Sequence, residues 1–457
     1  MAGLSFWHRN ENHVRERRNF NLNWAKFRYK KYGRALRVLG PGVVTGAADD
    51  DPSGIATYSQ AGAVYGFMLL WLFPLMLPLL FAIQETCARI GAVTGDGLAA
   101  ILKKHYSKKL LYVSVGLVTF ANVINIGSDL AAMAATTRLL LPSASFVGLA
   151  IFFASVCVVL QVTVPYRRYA KFLKWLAIVL FAYPITAFLV GQPWGEVFRH
   201  TVIPQMKFDA STIYLVVGLL GTTISPYLFF WNTSEVVEDE VKLHRLGAPS
   251  TNALPKITKH FIRSVRIDTF VGMALATVTA WFIVICCASV LNAHGVTEIN
   301  SAQDAAAALE PLVRGFPNAG LVAKLLFSVG IIGIGLLAVP VLAGSSSYAI
   351  SEAFGWREGL YRKYRQARGF YLVIVLATLA GLAINFFKID PIQALIFTAV
   401  FNAIASVPLM FMIIRVGNNT EIMGQYKNSR LSNIGLVCCF GVTLIATLAL
   451  FASFIWH

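Results

Sequence analysis

The 457-residue sequence is short of charge: Asp, Glu, Lys and Arg make up 13% of it, against about 25% in soluble globular proteins. Hydrophobic residues make up 57%. Too few charges remain to solvate a globule of this length, which excludes a soluble enzyme of roughly three domains. Cysteine is scarce as well. Cys87, Cys157, Cys286, Cys287, Cys438 and Cys439 all lie in or beside apolar runs, and none forms a CxxC pair. That pattern reads as buried thiols rather than metal ligands or disulfides. A signal-type apolar core is also missing, because residues 1–38 are polar and basic. Negative charge is the rarer sign, with 22 Asp+Glu against 39 Lys+Arg and a formal net charge of +17. A nucleic-acid binder would carry that excess on a solvated face. Here it falls between apolar spans, so the partner is a lipid bilayer and nucleic acid is excluded.

A bilayer-crossing helix needs about 20 mainly apolar residues. Runs of that kind lie near 39–63, 67–88, 110–138, 145–164, 175–192, 212–232, 268–293, 322–350, 369–387, 392–415 and 433–455. With the N-terminus inside, the only Lys and Arg on the outer side are Arg138, Arg199, Lys207, Arg314, Lys324 and Lys388. The positive-inside rule therefore predicts a multi-pass membrane protein with a cytoplasmic N-terminus; the expected location is the plasma membrane, a bacterial inner membrane. Residues 295–320 are too polar to span and predict a short helix over the outer face. The stretch SEVVEDE after the sixth span holds Glu235, Glu238, Asp239 and Glu240. It reads either as a solvated helix end or as an acidic inner vestibule that attracts cations.

The first span is interrupted at its centre, where Asp49, Asp50 and Asp51 precede Pro52, Ser53 and Gly54. Charge at membrane depth is costly and lines a cavity or finds a partner. Pro52 donates no N–H and Gly54 tolerates non-helical dihedrals. The helix is expected to unwind there, freeing carbonyls for a cation or water. The sixth span breaks similarly at Gly221, Thr222, Thr223, Ser225 and Pro226. Alone it would read as a proline kink. Paired with the first, it marks the opening helix of a second five-helix half, the signature of an inverted-repeat transporter with a midplane site. The expected organisation is a basic tail (1–38), a first repeat (39–192), a linker (193–211), a second repeat (212–415), and a loop with an eleventh helix (416–457). Asp129 in the third span either lines a wet path or bonds a neighbouring helix, with Asn122 and Asn125 nearby. Glu85 and Arg89 predict an ordinary i,i+4 ion pair. Asn402 predicts an interhelical hydrogen bond or a reach into the site, and Gly330, Gly333 and Gly335 predict close helix packing.

At these residues the sequence resembles the NRAMP family of divalent-metal transporters. The likeness rests on LGPGVVTGAADDDPSG, ARIGAVTGDGLA, SDLA and GTTISPY, and runs from about residue 38 to the end of the tenth span. The resemblance implies an all-α LeuT-type fold of five plus five helices and an added eleventh. It implies no enzyme and no cofactor beyond the transported ion, and a monomer is expected. Typical members bind metal through an Asp-Pro-Gly-Asn motif in the first helix, matched here by Asp51, Pro52, Ser53 and Gly54, and through a carbonyl that corresponds to Ala48. In the sixth helix their Ala-Thr-Val-Met-Pro-His is matched by Thr222, Thr223, Ile224, Ser225, Pro226 and Tyr227. The Asp is kept, whereas Gly54 stands for the Asn, Ser225 for the Met and Tyr227 for the His. A thioether favours soft transition metals, while carboxylate, carbonyl and water suit Mg²⁺, Ca²⁺ and Mn²⁺. Mg²⁺ keeps several waters. An enlarged all-oxygen site anchored on Asp51, with Asp49 or Asp50 acting through water, resembles that of the NRAMP-related magnesium transporters. The family's Asp-x-x-Glu pair reads Asp129 and Ala132 here, and its two histidine positions read Tyr227 and Asn232. Uptake of Mg²⁺, and also Mn²⁺, without proton coupling is therefore expected. The rivals are a proton-coupled Mn²⁺/Fe²⁺ symporter, a cation channel on the same acidic cluster, and an intramembrane aspartyl protease pairing Asp51 with Asp129.

Overall fold

The computed structural model describes residues 41–164, 181–242, 257–296, 299, 301–313, 315, 318–387 and 389–455. The basic tail, the loop 165–174, the start of the fifth span and most of the largest loop lie outside the described residues. All regular structure described is helical. Nine segments among the described residues are long and apolar enough to cross a membrane, taking the two halves of the sixth span together.

The first span is two helices. α1 (Pro41–Asp49) stops at Asp50, and α2 (Pro52–Tyr65) restarts with Asp51 as N-cap and Pro52 in its first turn. The local chemistry explains the break: Asp51 Oδ1 accepts the Gly54 N–H at 2.8 Å, an N-cap bond that an interior helical residue cannot make. α3 (Leu72–Thr94) ends at Gly95, which adopts a φ of 68°, a left-handed conformation suited to glycine. It runs past the predicted end at 88 because Arg89 is neutralised where it lies, pairing with Glu85 at 3.1 Å while Arg266 reaches the same carboxylate at 3.0 Å. The predicted ion pair is present, inside a larger network that includes Asn428.

α4 (Leu98–His105) is a short helix that composition did not announce. It is followed by α5 (Lys108–Leu140), α6 (Phe146–Thr163), α7 (Ala182–Leu189) and α8 (Trp194–Val202). The second broken span is α9 (Ala210–Thr223) and α10 (Pro226–Lys242), then α11 (Lys259–Val290). Over the outer loop, the predicted surface helix is shorter than 295–320: α12 covers Ala302–Ala307 and a 3₁₀ turn covers Glu310–Val313. α13 (Ala319–Phe354), α14 (Arg368–Ile384), α15 (Pro391–Asn418), α16 (Thr420–Met423) and α17 (Arg430–Ile455) complete the chain. Five of the cysteines are buried as expected, but Cys438 on α17 is exposed.

Glycines set the closest approaches. A Cβ at Gly46 would lie 2.3 Å from the Gly272 carbonyl oxygen, and one at Gly272 would lie 2.0 Å from that of Gly42. α1 thus lies backbone to backbone on α11, the small-residue packing used inside membranes. Asp268 of α11 adds a cap, its Oδ2 accepting the Gly42 N–H at 2.7 Å. Gly335 of α13 makes room for Met133 of α5. The solvated reading of SEVVEDE is corrected: Glu235, Glu238 and Glu240 are buried in α10, and Glu238 accepts from Tyr348 and from the Leu360 N–H. Ties to α13 and to the following loop hold this end of α10 inside the bundle, which loop position alone could not reveal.

Candidate ion-binding site

Each proline of the two breaks frees one particular carbonyl. In an intact helix the residue 52 N–H would bond the residue 48 carbonyl, and the residue 226 N–H that of 222. Proline has no N–H, so Ala48 and Thr222 lose their helical donors. Both are buried, and both have found others. Tyr227 donates its hydroxyl to the Ala48 carbonyl at 2.8 Å. Ser225, in the break itself, turns back on the end of α9 and donates its hydroxyl towards the Thr222 carbonyl at 2.7 Å and that of Gly221 at 3.0 Å.

Asp51 is the centre of the arrangement and is 1% exposed. Its Oδ1 is taken by the Ser53 hydroxyl at 2.5 Å and the Gly54 N–H at 2.8 Å. Its Oδ2 accepts from the Asn125 side-chain amide at 2.9 Å and lies 3.4 Å from the Tyr227 hydroxyl. One carboxylate oxygen is therefore structural and the other faces the centre. The Tyr227 hydroxyl sits between Asp51 Oδ2 and the Ala48 carbonyl, where a cation sharing those two oxygens would lie.

The two breaks meet through short side chains. Ser53 Oγ approaches Thr222 Oγ1 at 3.4 Å, and Tyr58 OH approaches Thr223 Oγ1 at 3.3 Å. A Cβ at Gly54 would lie 3.2 Å from Thr222 Oγ1 and from the Tyr58 ring. Gly54, counted with the ligands from the family pattern, makes its visible contact as an N–H donor to Asp51, and a donor does not bind a cation. Its absent side chain leaves Thr222 and Tyr58 in place.

The remaining predicted residues surround this centre without joining it. Asp49 and Asp129 are buried, and neither oxygen of either carboxylate has a hydrogen-bond partner among the described residues; one oxygen of the buried Asp50 is in the same condition. Tyr227 lies within electrostatic reach of Asp51, Asp49 and Asp129. The buried Asn402 has no partner for either amide atom among the described residues, while its neighbours Ala399 and Ala403 on α15 pack against Gly221. No three His, Cys, Asp or Glu side chains converge as a metal cage among the described residues. The centre instead combines one carboxylate with carbonyl, hydroxyl and amide groups, a donor set for a hard cation. Asn125 was the residue the sequence undersold. Its position one turn before Asp129 put it on the same face of α5, but only packing aims it at Asp51.

A cavity of about 350 Å³ lies beside the start of α2. Pro52, Ile55, Ala132 and Arg138 line it together with Ile299 and Asp390 from the loop side, so it reaches the residue after Asp51 from the face opposite the basic loops. On the other side Trp231, Tyr348 and Phe370 stack edge to face, all buried.

Two broken helices facing one another across a buried cluster of oxygen groups define a LeuT-type membrane transporter rather than an enzyme. Solved structures agree on the fold. An Eremococcus coleocola manganese transporter superposes with a TM-score of 0.68 at 17% identity, covering 92% of this chain and 88% of that one. MhsT in complex with L-phenylalanine gives a TM-score of 0.61 at 12% identity, with 90% and 98% covered. The model of the natural resistance-associated macrophage protein-like (Nramp) family matches residues 42–453, and the chain belongs to that family. Among curated relatives, a divalent metal cation transporter MntH of Clostridium acetobutylicum is 25% identical over 98% of both chains. MntH 1 of Pseudomonas aeruginosa is 27% identical over 90% of both.

Proposed function

We propose that this protein carries divalent metal ions across the membrane by alternating access, with Asp51 Oδ2 and the Ala48 carbonyl as the first oxygens to receive the ion. The carrying observation is the Tyr227 hydroxyl lodged between those two groups. Asp51 supplies the charge, and Thr222, Ser225 and Gly54 shape the wall. Asp49, Asp50, Thr223, Asp129 and Asn402 act from further out, through water or along the path. The N-terminus is cytoplasmic by the placement of basic residues, and the unit is a monomer in the bilayer.

Two readings of the cargo differ. The relatives named MntH and the manganese transporter structures favour a proton-coupled Mn²⁺/Fe²⁺ symporter. The residues of this site favour a harder, partly hydrated ion, with Mg²⁺ admitted beside Mn²⁺, because no sulfur stands among them. The absence of coupling is supported by two positions: Ala132 cannot hold a proton, and Asn232 spends its amide on the Gln84 carbonyl at 3.1 Å. The membrane potential would then drive uptake, at about 2.3 kcal/mol per charge per 100 mV. Uptake of Mg²⁺ and Mn²⁺ into proteoliposomes, with internal pH recorded, tests both points. Mg²⁺ flux without acidification is the expected result. Mn²⁺ flux with acidification in proportion, and no Mg²⁺ flux, would establish the symporter instead.

A further inference from the structure

We infer that Asn125 is itself an ion ligand, a carboxamide that turns over on binding to offer Oδ1 where it now offers Nδ2. The inference rests on the proposal that Asp51 anchors the ion. Asn125 is 0% exposed and bridges two helices: Nδ2 donates to Asp51 Oδ2 at 2.9 Å, and Oδ1 faces Thr398 Oγ1 of α15 at 3.1 Å.

The second contact carries the argument. Thr398 has one hydroxyl proton and two acceptors in reach, the Leu395 carbonyl at 2.7 Å and Asn125 Oδ1 at 3.1 Å. The shorter contact takes the proton, which leaves a hydroxyl lone pair towards Asn125 Oδ1. Acceptor then faces acceptor, so this side of the amide gains little from its present orientation. Turning the amide by half a rotation gives Thr398 Oγ1 the Nδ2 donor it can accept. The same turn places Oδ1 against Asp51 Oδ2, which is repulsive between two bare oxygens and favourable when a cation stands between them. Occupancy by a cation therefore decides the orientation, at little rotational cost.

Three substitutions test this by Mg²⁺ and Mn²⁺ uptake in proteoliposomes, with ion-induced thermal stabilisation of the purified protein as a second readout. Thr398→Val removes the acceptor that only the turned amide uses. The expected result is a KM raised several-fold for both ions, with the thermal stability of ion-free protein unchanged. Asn125→Leu is expected to raise KM by about tenfold, the loss of one hydrogen-bonding group to a charge. Asn125→Asp, which keeps an oxygen at the same place, is expected to bind at least as tightly as wild type. If Asn125 only donates to Asp51, Thr398→Val leaves KM unchanged and Asn125→Asp is worse than Asn125→Leu, because two carboxylates then oppose each other; either result overturns the inference. Asp51→Ala is the separate control. Flux retained in that variant would remove the anchor assignment itself, whereas flux lost there with an unchanged KM in Thr398→Val would remove only the role of Asn125.

Discussion

Replacing Tyr227 by Phe removes one oxygen from the centre of the site and tests whether that oxygen holds the place of the ion. The hydroxyl donates to the Ala48 carbonyl at 2.8 Å and lies 3.4 Å from Asp51 Oδ2, so an ion that takes those two oxygens has to break the tyrosine bond. A neutral hydrogen bond of this kind contributes about 1 kcal/mol net. Removing it leaves the Ala48 carbonyl buried without a donor, because Pro52 cannot supply one, and that costs the ion-free protein about 1–3 kcal/mol. The ion-bound protein, in which the carbonyl faces a cation, loses far less. Apparent affinity should therefore rise about fivefold or more, at 1.4 kcal/mol per tenfold, while the ion-free protein melts earlier. The assay is a paired one: KM for Mg²⁺ and Mn²⁺ in proteoliposomes, and thermal unfolding in detergent with and without each ion. Were the hydroxyl a ligand, KM would rise. A raised KM, or an unchanged melting temperature without ion, would refute the reasoning.

Three further outcomes follow from the same geometry. Ser225→Met should free the Thr222 carbonyl from its own serine and add a thioether, so that Cd²⁺ competes with uptake more strongly relative to Mg²⁺; unchanged Cd²⁺ inhibition would count against a site wall at Ser225. Gly272→Ala should force α1 from α11, since its Cβ would stand 2.0 Å from the Gly42 carbonyl oxygen; overpacking of that kind costs roughly 1–3 kcal/mol, read as a lower melting temperature. Glu358, in the loop after α13, is pushed up to about 10 by burial and by the carboxylates of Glu352 and Asp96. Its folded form keeps a proton that the unfolded chain releases above its ordinary 4.5, so stability should fall as pH rises between those values. Glu358→Gln should melt later than wild type in alkaline buffer and should flatten the pH dependence, and equal melting curves would place the proton elsewhere.

Much of this protein is written along its chain. Length of apolar run marks the helices long enough to cross a membrane, and the placement of Lys and Arg supplies the expectation of which ends face the cytoplasm. Pro52 and Pro226 determine which backbone carbonyls are released, because the missing N–H is a property of the residue whatever surrounds it. The acidic run before Pro52 likewise marks the depth at which charge must be accommodated. Boundaries failed where a charge was compensated by a residue distant in sequence. Arg89 looked like the end of a span until Arg266 and Asn428 joined its pair with Glu85, and the acidic residues of α10 fitted a solvated end as well as an inner vestibule until Tyr348 and the loop at Leu360 closed on Glu238.

Which partners meet the released groups of the centre was decided by tertiary structure alone. Local sequence releases the Ala48 carbonyl, but its donor is Tyr227, 179 residues away. Asp51 announces a carboxylate, yet which of its oxygens faces the centre depends on Ser53 and Gly54 occupying one while Asn125 from a third helix bonds the other. A broken helix specifies unsatisfied groups; the identity of what satisfies them is a matter of distance, and distance between helices is set by packing rather than by order along the chain.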